Sequence, residues 1–118
     1  MSGNRAWLYC RADSKEHRLR ALRTQAKELK CYARRHNLEI VGGSSDVGSG
    51  WTLDRPGLLE FHAAMESGNV DVLLLLNMFC LGRDMEEVFE YWEQLQERGV
   101  RICPIHSYEA KLVYHLLF

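Results

Sequence analysis

The chain has 118 residues, 47% of them hydrophobic and 26% charged, with a formal net charge of −1. That suffices for one compact domain with a modest core and excludes a disordered chain; it also excludes binding to nucleic acid through bulk positive charge. The longest apolar run, residues 72–76, is far too short to span a bilayer, and MSGNRAW at the start leads into no apolar signal segment, so a cytoplasmic protein with no membrane partner is expected.

The predicted elements alternate. RAWLYCR (residues 5–11) reads as an apolar, aromatic strand and residues 12–14 as a turn. Across residues 16–36, Leu19, Leu22, Ala26, Leu29 and Ala33 recur at helical spacing, which predicts a long amphipathic helix. LEIVGG (38–43) is a second strand, and SSDVGSGWTLD (44–54), rich in Gly and Ser, is expected to be a mobile loop. Asp54 is placed to cap a helix opened by Arg55 and Pro56, with Leu58, Leu59, His62 and Met65 on its inner face and SGN (67–69) at its end. VDVLLLLNMF (70–79) is almost continuously apolar, as in a strand buried on both faces of a parallel sheet. A third helix is predicted over residues 84–98, stopped by Gly99. VRICPI (100–105) follows as a fourth strand, and residues 107–118 as a short closing helix.

This order predicts a three-layer α/β domain with a mainly parallel sheet. The functional crevice of such a sheet lies beyond the carboxyl ends of its strands, at a topological switch point. That selects the turn after Arg11, the loop 44–54 and the turn 77–83, each holding or ending beside an arginine: Arg11, Arg55 and Arg83. Converging guanidinium groups suit an anion such as phosphate; salt bridges to Asp13, Asp46 or Asp54 are the structural alternative. No GxxxxGK[ST] loop supports a nucleotide hydrolase.

Charge is unevenly spread. Residues 15–35 hold eight bases against Glu16 and Glu28, and residues 84–98 hold six acids against one base. Both read as solvated helix faces, the basic one also suited to phosphate or an acidic partner. Cys10, Cys31, Cys80 and Cys103 have no CxxC spacing and are expected to be reduced and mostly buried; with five scattered histidines, neither a metal nor a cofactor is expected.

Set in order, the motifs resemble the N-terminal catalytic domain of serine site-specific recombinases, the resolvase/invertase family of mobile elements, from about Trp7 to Ile105. That family's Tyr-x-Arg-x-Ser strand is matched by Tyr9 and Arg11 with the turn ADS, and Gln25 resembles its first-helix glutamine. DVGSGWTLDRPGLLEF supplies Asp46, Ser49, Gly50, Arg55, Pro56, Gly57 and Leu58 of its Asp-x-x-x-Ser-Gly and Arg-Pro-Gly-Leu motifs. GNVDVLLLL matches its Gly-x-x-Asp strand, and NMFCLGR (77–83) stands where it has Lys-Leu-Asp-Arg-Leu-Gly-Arg. The resemblance implies a three-layer resolvase-like (flavodoxin-like) fold, with residues 1–118 forming one domain.

It also implies a chemistry: a serine hydroxyl attacks a DNA phosphodiester, forming a phosphoserine link, while arginines hold the phosphate and stabilise the transition state. By position Arg11, Arg55 and Arg83 match three of those arginines, as catalytic and DNA-phosphate-binding residues. Other positions depart. Asp13 occupies the nucleophile position, Asn77 replaces the lysine, Phe79 the aspartate and Cys80 the arginine beside it. A carboxylate about 4 Å from a phosphate repels it by about 4 kcal/mol at an effective dielectric of 20, and losing one transition-state donor typically costs about 100- to 1000-fold in rate. Ser14 becomes the fallback nucleophile if a bulge re-aims the turn; Asp13 as phosphoryl acceptor would give a hydrolysable acyl phosphate, and Cys80 is a third candidate.

The sequence therefore leads to a recombinase-like domain, catalytically degenerate, acting as an interaction or regulatory module that pairs with itself or with an intact recombinase and binds DNA weakly alone. Two alternatives stand: strand cleavage through Ser14 or within a longer chain, and an anion- or nucleotide-binding domain using the arginine cluster. The chain stops at Phe118, about a dozen residues past CPI, so no DNA-reading domain is expected; AKLVYHLLF is either the first turns of the family's long dimer helix or a short segment closing the core.

Overall fold

The computed structural model of the protein describes residues 3–13, 18–48 and 53–106. Four strands form one sheet: β1 (Arg5–Ala12), β2 (Glu39–Val47), β3 (Val72–Leu75) and β4 (Arg101–Pro104). Every pairing is parallel and the order is β2-β1-β3-β4. The helices are α1 (Arg18–Arg35), α2 (Pro56–Glu66) and α3 (Met85–Glu97), with a 3-10 turn at Met78–Cys80. The predicted α/β fold with a parallel sheet is thus the fold observed.

Strand alternation divides the core into two. Leu8 and Cys10 of β1 and Leu74 of β3 face α1 and pack on Leu29 and Ala33. Tyr9, Leu73 and Leu75 face the other way, onto Leu58, Phe61, Val88, Tyr91 and Leu95 of α2 and α3. All four residues of β3 are buried, as expected for a strand covered by helices on both faces. The chain crosses from β1 through α1 to β2 on one side, then returns past β1 to β3. The switch point therefore lies between β1 and β3, where Asp13 and the turn after Asn77 leave the sheet.

Helix ends follow local chemistry. Asn37 takes φ 55° just beyond α1, a left-handed position that Asn tolerates. Asp84 caps α3, its Oδ1 accepting from the N–H groups of Glu86 at 3.1 Å and Glu87 at 3.4 Å. Gly99, at φ 81°, ends that helix and lets β4 begin two residues later.

Several expectations need correction. β2 runs to Val47, so 44–47 is strand rather than loop: Ser44 to Val47 pair with Tyr9 to Ala12. Ser44, Ser45 and Asp46 carry none of the β-branched or aromatic character that marks a strand, and the stabilisation comes from tertiary partners. Arg55, not Asp54, is the N-cap of α2, and its side chain makes no cap hydrogen bond. Instead Asp46 Oδ1, on β2, accepts from the Gly57 N–H at 2.8 Å and caps the helix from outside its own sequence. Leu59 is exposed, and Phe61 takes the buried place assigned to it. β3 spans only 72–75, because Asn77 leads into the 3-10 turn. All four cysteines are free, but only Cys10 and Cys80 are buried; Cys103 is partly exposed and Cys31 exposed. The closing helix proposed for 107–118 lies outside the described residues. Among the described residues no helix is long and apolar enough to cross a membrane.

Candidate functional site at the carboxyl end of the sheet

The site begins with a backbone fixed by a side chain. Gln25, on α1, accepts from the Arg11 N–H at 3.1 Å and donates to the Arg11 carbonyl at 2.8 Å. This two-way grip satisfies both main-chain groups of Arg11 on the side that β2 does not reach. The Arg11 side chain, 10% exposed, then fans over three partners. One guanidinium nitrogen donates to Asp13 Oδ1 at 3.2 Å and to the Gly48 carbonyl at 2.7 Å, and the other donates to the Phe79 carbonyl at 3.3 Å.

Arg83 reaches the same carboxylate oxygen, Asp13 Oδ1, at 3.6 Å. Asp13 and Arg83 are both half-exposed, at 44% and 46%, so solvent screens this pair strongly. Two guanidinium groups thus converge on one oxygen of Asp13. Among the described residues Arg11 Nε and Asn77 Oδ1 are buried without a hydrogen-bond partner, leaving one donor and one acceptor for water or a ligand to satisfy.

Arg55 sits differently. It is 7% exposed, and its guanidinium donates to the Cys80 carbonyl at 2.9 Å, to the Leu81 carbonyl, and to Tyr9 Oη at 2.9 Å. Tyr9 Oη in turn donates to Asp46 Oδ2 at 2.7 Å. Arg55, Tyr9 and Asp46 form a buried chain from the 3-10 turn through β1 to β2, ending at the α2 N-terminus. Burial, with the hydrogen bond to Asp46, pushes the Tyr9 phenol well above its ordinary value. Neighbouring contacts complete the corner: Ser44 Oγ donates to the Gly57 carbonyl at 2.6 Å and accepts from Trp7 Nε1 at 3.0 Å. A Cβ on Gly57 would lie 2.5 Å from Asp46 Oδ2, so only glycine fits.

Of the residues singled out in sequence, Arg11, Asp13 and Arg83 come together at the surface, while Arg55 is held beneath them by backbone carbonyls. The expected salt bridges form for Arg11 and Arg83 with Asp13; Arg55 connects to Asp46 through Tyr9. Phe79 is 44% exposed and offers the site only its carbonyl. Cys80 is buried, and burial pushes its thiol up; a thiol kept protonated is a poor nucleophile. Ser14 lies outside the described residues, as do Ser49 and Gly50. The grip of Gln25 and the linking role of Tyr9 were visible as motif residues, but their hydrogen bonds depend on packing between α1, β1 and β2. Among the described residues no group of His, Cys, Asp or Glu is arranged to hold a metal.

The fold and the order of these corners along the chain define a resolvase-type α/β domain. The family model of the resolvase N-terminal domain matches residues 6–114, and the chain belongs to that family. Among solved structures, it is 29% identical to the C-terminal catalytic domain of ISC1926 TnpA, an IS607-like serine recombinase, with a TM-score of 0.78 over 86% of this chain and 67% of that one. It is 25% identical to a serine recombinase from Sulfolobus solfataricus, with a TM-score of 0.68 over 85% and 68% of the two chains. The N-terminal catalytic domain of TP901-1 integrase shares the fold, with a TM-score of 0.78 at 17% identity over 87% and 78%. The protein is a serine-recombinase-like domain related to site-specific recombination.

Proposed function

We propose that this domain keeps the recombinase scaffold without its strand-cleaving chemistry and acts as an interaction or regulatory module. One observation carries the reading: Arg11 and Arg83 both engage Asp13 Oδ1, where the family resemblance places the serine nucleophile. A carboxylate there takes up the positive charge that those guanidinium groups would otherwise offer to a phosphate. The side chains of Phe79 and Cys80 add no donor to it. On this reading one domain spanning the chain acts in the cytoplasm through a protein partner, an intact recombinase or a second copy, and its own hold on DNA is weak.

Incubation with a nicked duplex designed to trap a phosphoserine link tests the reading. No covalent adduct is expected from the wild type. An adduct that disappears in Ser14→Ala would overturn the proposal and establish cleavage through Ser14.

A second reading, residual anion binding, is favoured by the unpartnered Arg11 Nε. Replacing Asp13 by Asn removes the tethered anion, and for a half-exposed pair about a tenfold gain in phosphate affinity is expected, some 1.4 kcal/mol. Equal phosphate binding by wild type and Asp13→Asn would remove this reading.

A further inference from the structure

Two helices carry charge with no use in the site. On α1, Arg20, Arg23, Lys27, Lys30 and Arg34 are exposed. Their spacing of three and four residues places them within roughly 80° of the helix circumference, as one stripe. On α3, Glu86, Glu90, Glu93 and Glu97 are exposed and form a second stripe opposite the buried Val88, Tyr91 and Leu95. Among the described residues none of these nine side chains makes an ion pair. Glu28, the acid within α1, has no base three or four residues away, and α3 itself contains no base. Within each stripe like charges three and four residues apart repel along the helix, and only Arg34 in the last turn of α1 and Glu86 in the first turn of α3 gain from the helix dipole.

The stripes match each other. Residues 23, 27, 30 and 34 step by four, three and four, as do 86, 90, 93 and 97, each run covering about 16 Å of helix. The apolar surroundings match too. Beside Arg23 and Lys30 lies an open groove of about 480 Å³, lined by Leu8, Leu19, Leu22 and Ile40. Leu19 and Ile40 are among the most exposed large apolar residues, at 63% and 43%. Beside the acidic stripe, Phe89 and Trp92 stack at 5.8 Å and remain partly exposed. α1 and α3 cover opposite faces of the sheet, so the stripes cannot meet within one molecule.

We infer that α3 of one copy docks on α1 of another, the glutamates against the basic stripe and Phe89 and Trp92 against the groove. The occupant is a second copy of this chain because charge sign, charge spacing and apolar flank all find their complement there. Since donor and acceptor surfaces differ, the contact is heterologous and propagates head to tail. The inference is independent of the state of Asp13.

Sedimentation equilibrium on the full chain tests it. At about 0.01 M salt, where screening extends to about 30 Å, the weight-average mass is expected to keep rising with concentration, past twice its value at about 1 M salt, where screening is complete within about 3 Å. The variants Lys27→Glu/Lys30→Glu and Glu90→Lys/Glu93→Lys should each lose that rise, and their equimolar mixture should regain it. All four positions are exposed, and circular dichroism checks that both variants fold. A mass insensitive to salt, an unaltered rise in either variant, or a mixture that stays dispersed overturns the proposal. So does a wild type that stays dispersed at low salt yet binds duplex DNA through Lys27 and Lys30, which would make the basic stripe a polyanion surface.

Discussion

Replacing Arg55 with Ala separates a structural arginine from a phosphate-binding one. The guanidinium is buried and donates to the Cys80 and Leu81 carbonyls and to Tyr9 Oη. Its loss leaves those acceptors without their donor and Asp46, 8% exposed, without the nearby positive charge. Breaking a buried, hydrogen-bonded charge network by removing one partner typically costs about 3–5 kcal/mol. Domains of this size are stable by about 5–15 kcal/mol, so Arg55→Ala removes a large share. A fall of about 10–20 °C in Tm is expected, with a lower urea midpoint at unchanged m. Arg83→Ala, at a half-exposed ion pair, should cost about 1 kcal/mol or less. Arg55→Lys should fall between, since an ammonium keeps the charge but cannot fork between two carbonyls. The argument fails if Arg55→Ala unfolds with the same urea midpoint as Arg83→Ala.

Gly57→Ala should lower stability by about 1–3 kcal/mol, because its methyl group would meet Asp46 Oδ2 at 2.5 Å and the Ser45 carbonyl at 2.8 Å; urea unfolding measures it. Asp71 is held well below the usual carboxylate range by the Arg5 side-chain hydrogen bonds and by the backbone N–H groups of Arg5 and Gly3. A depressed folded value means stability present above the unfolded pKa of about 3.9 and lost as pH falls toward the folded one. The urea-midpoint gap between wild type and Asp71→Asn should therefore be full at neutral pH and narrow below about pH 4; a constant gap would contradict the assignment. A thiol-reactive reagent should label Cys31 first. Cys10, buried and pushed up to about 11 chiefly by burial, and Cys80, pushed up by burial, should stay unlabelled until the chain unfolds.

Residues whose fate depends on near neighbours were legible in sequence. The helical spacing of α1, the Gly99 stop of α3 and the apolar run of β3 each predicted their element. The alternating element order placed Arg11 and Arg83 at the carboxyl end of the sheet, where both meet Asp13. What the sequence left dark were partners distant along the chain. Asp46 caps a helix eleven residues away, and the strand status of Ser44 to Val47 depends on Tyr9, Trp7 and Gly57. Arg55 looked like a third anion ligand because its motif position carries no sign of burial; three acceptors on β1 and the 3-10 turn take it inside. Leu59 and Phe61 are equally apolar, and only the angle at which α2 meets the sheet decides which is covered.

The 3-10 turn is held by its main chain. Arg11 takes the Phe79 carbonyl, and Arg55 takes those of Cys80 and Leu81. Every residue offers a carbonyl, so this clamp is blind to which side chains the turn carries. The side chains at positions 79 and 80 are thereby uncoupled from the shape of the corner: they can be exchanged while two arginines elsewhere keep the backbone path unchanged. The chemistry of the turn's side chains and the path of its backbone can therefore change separately.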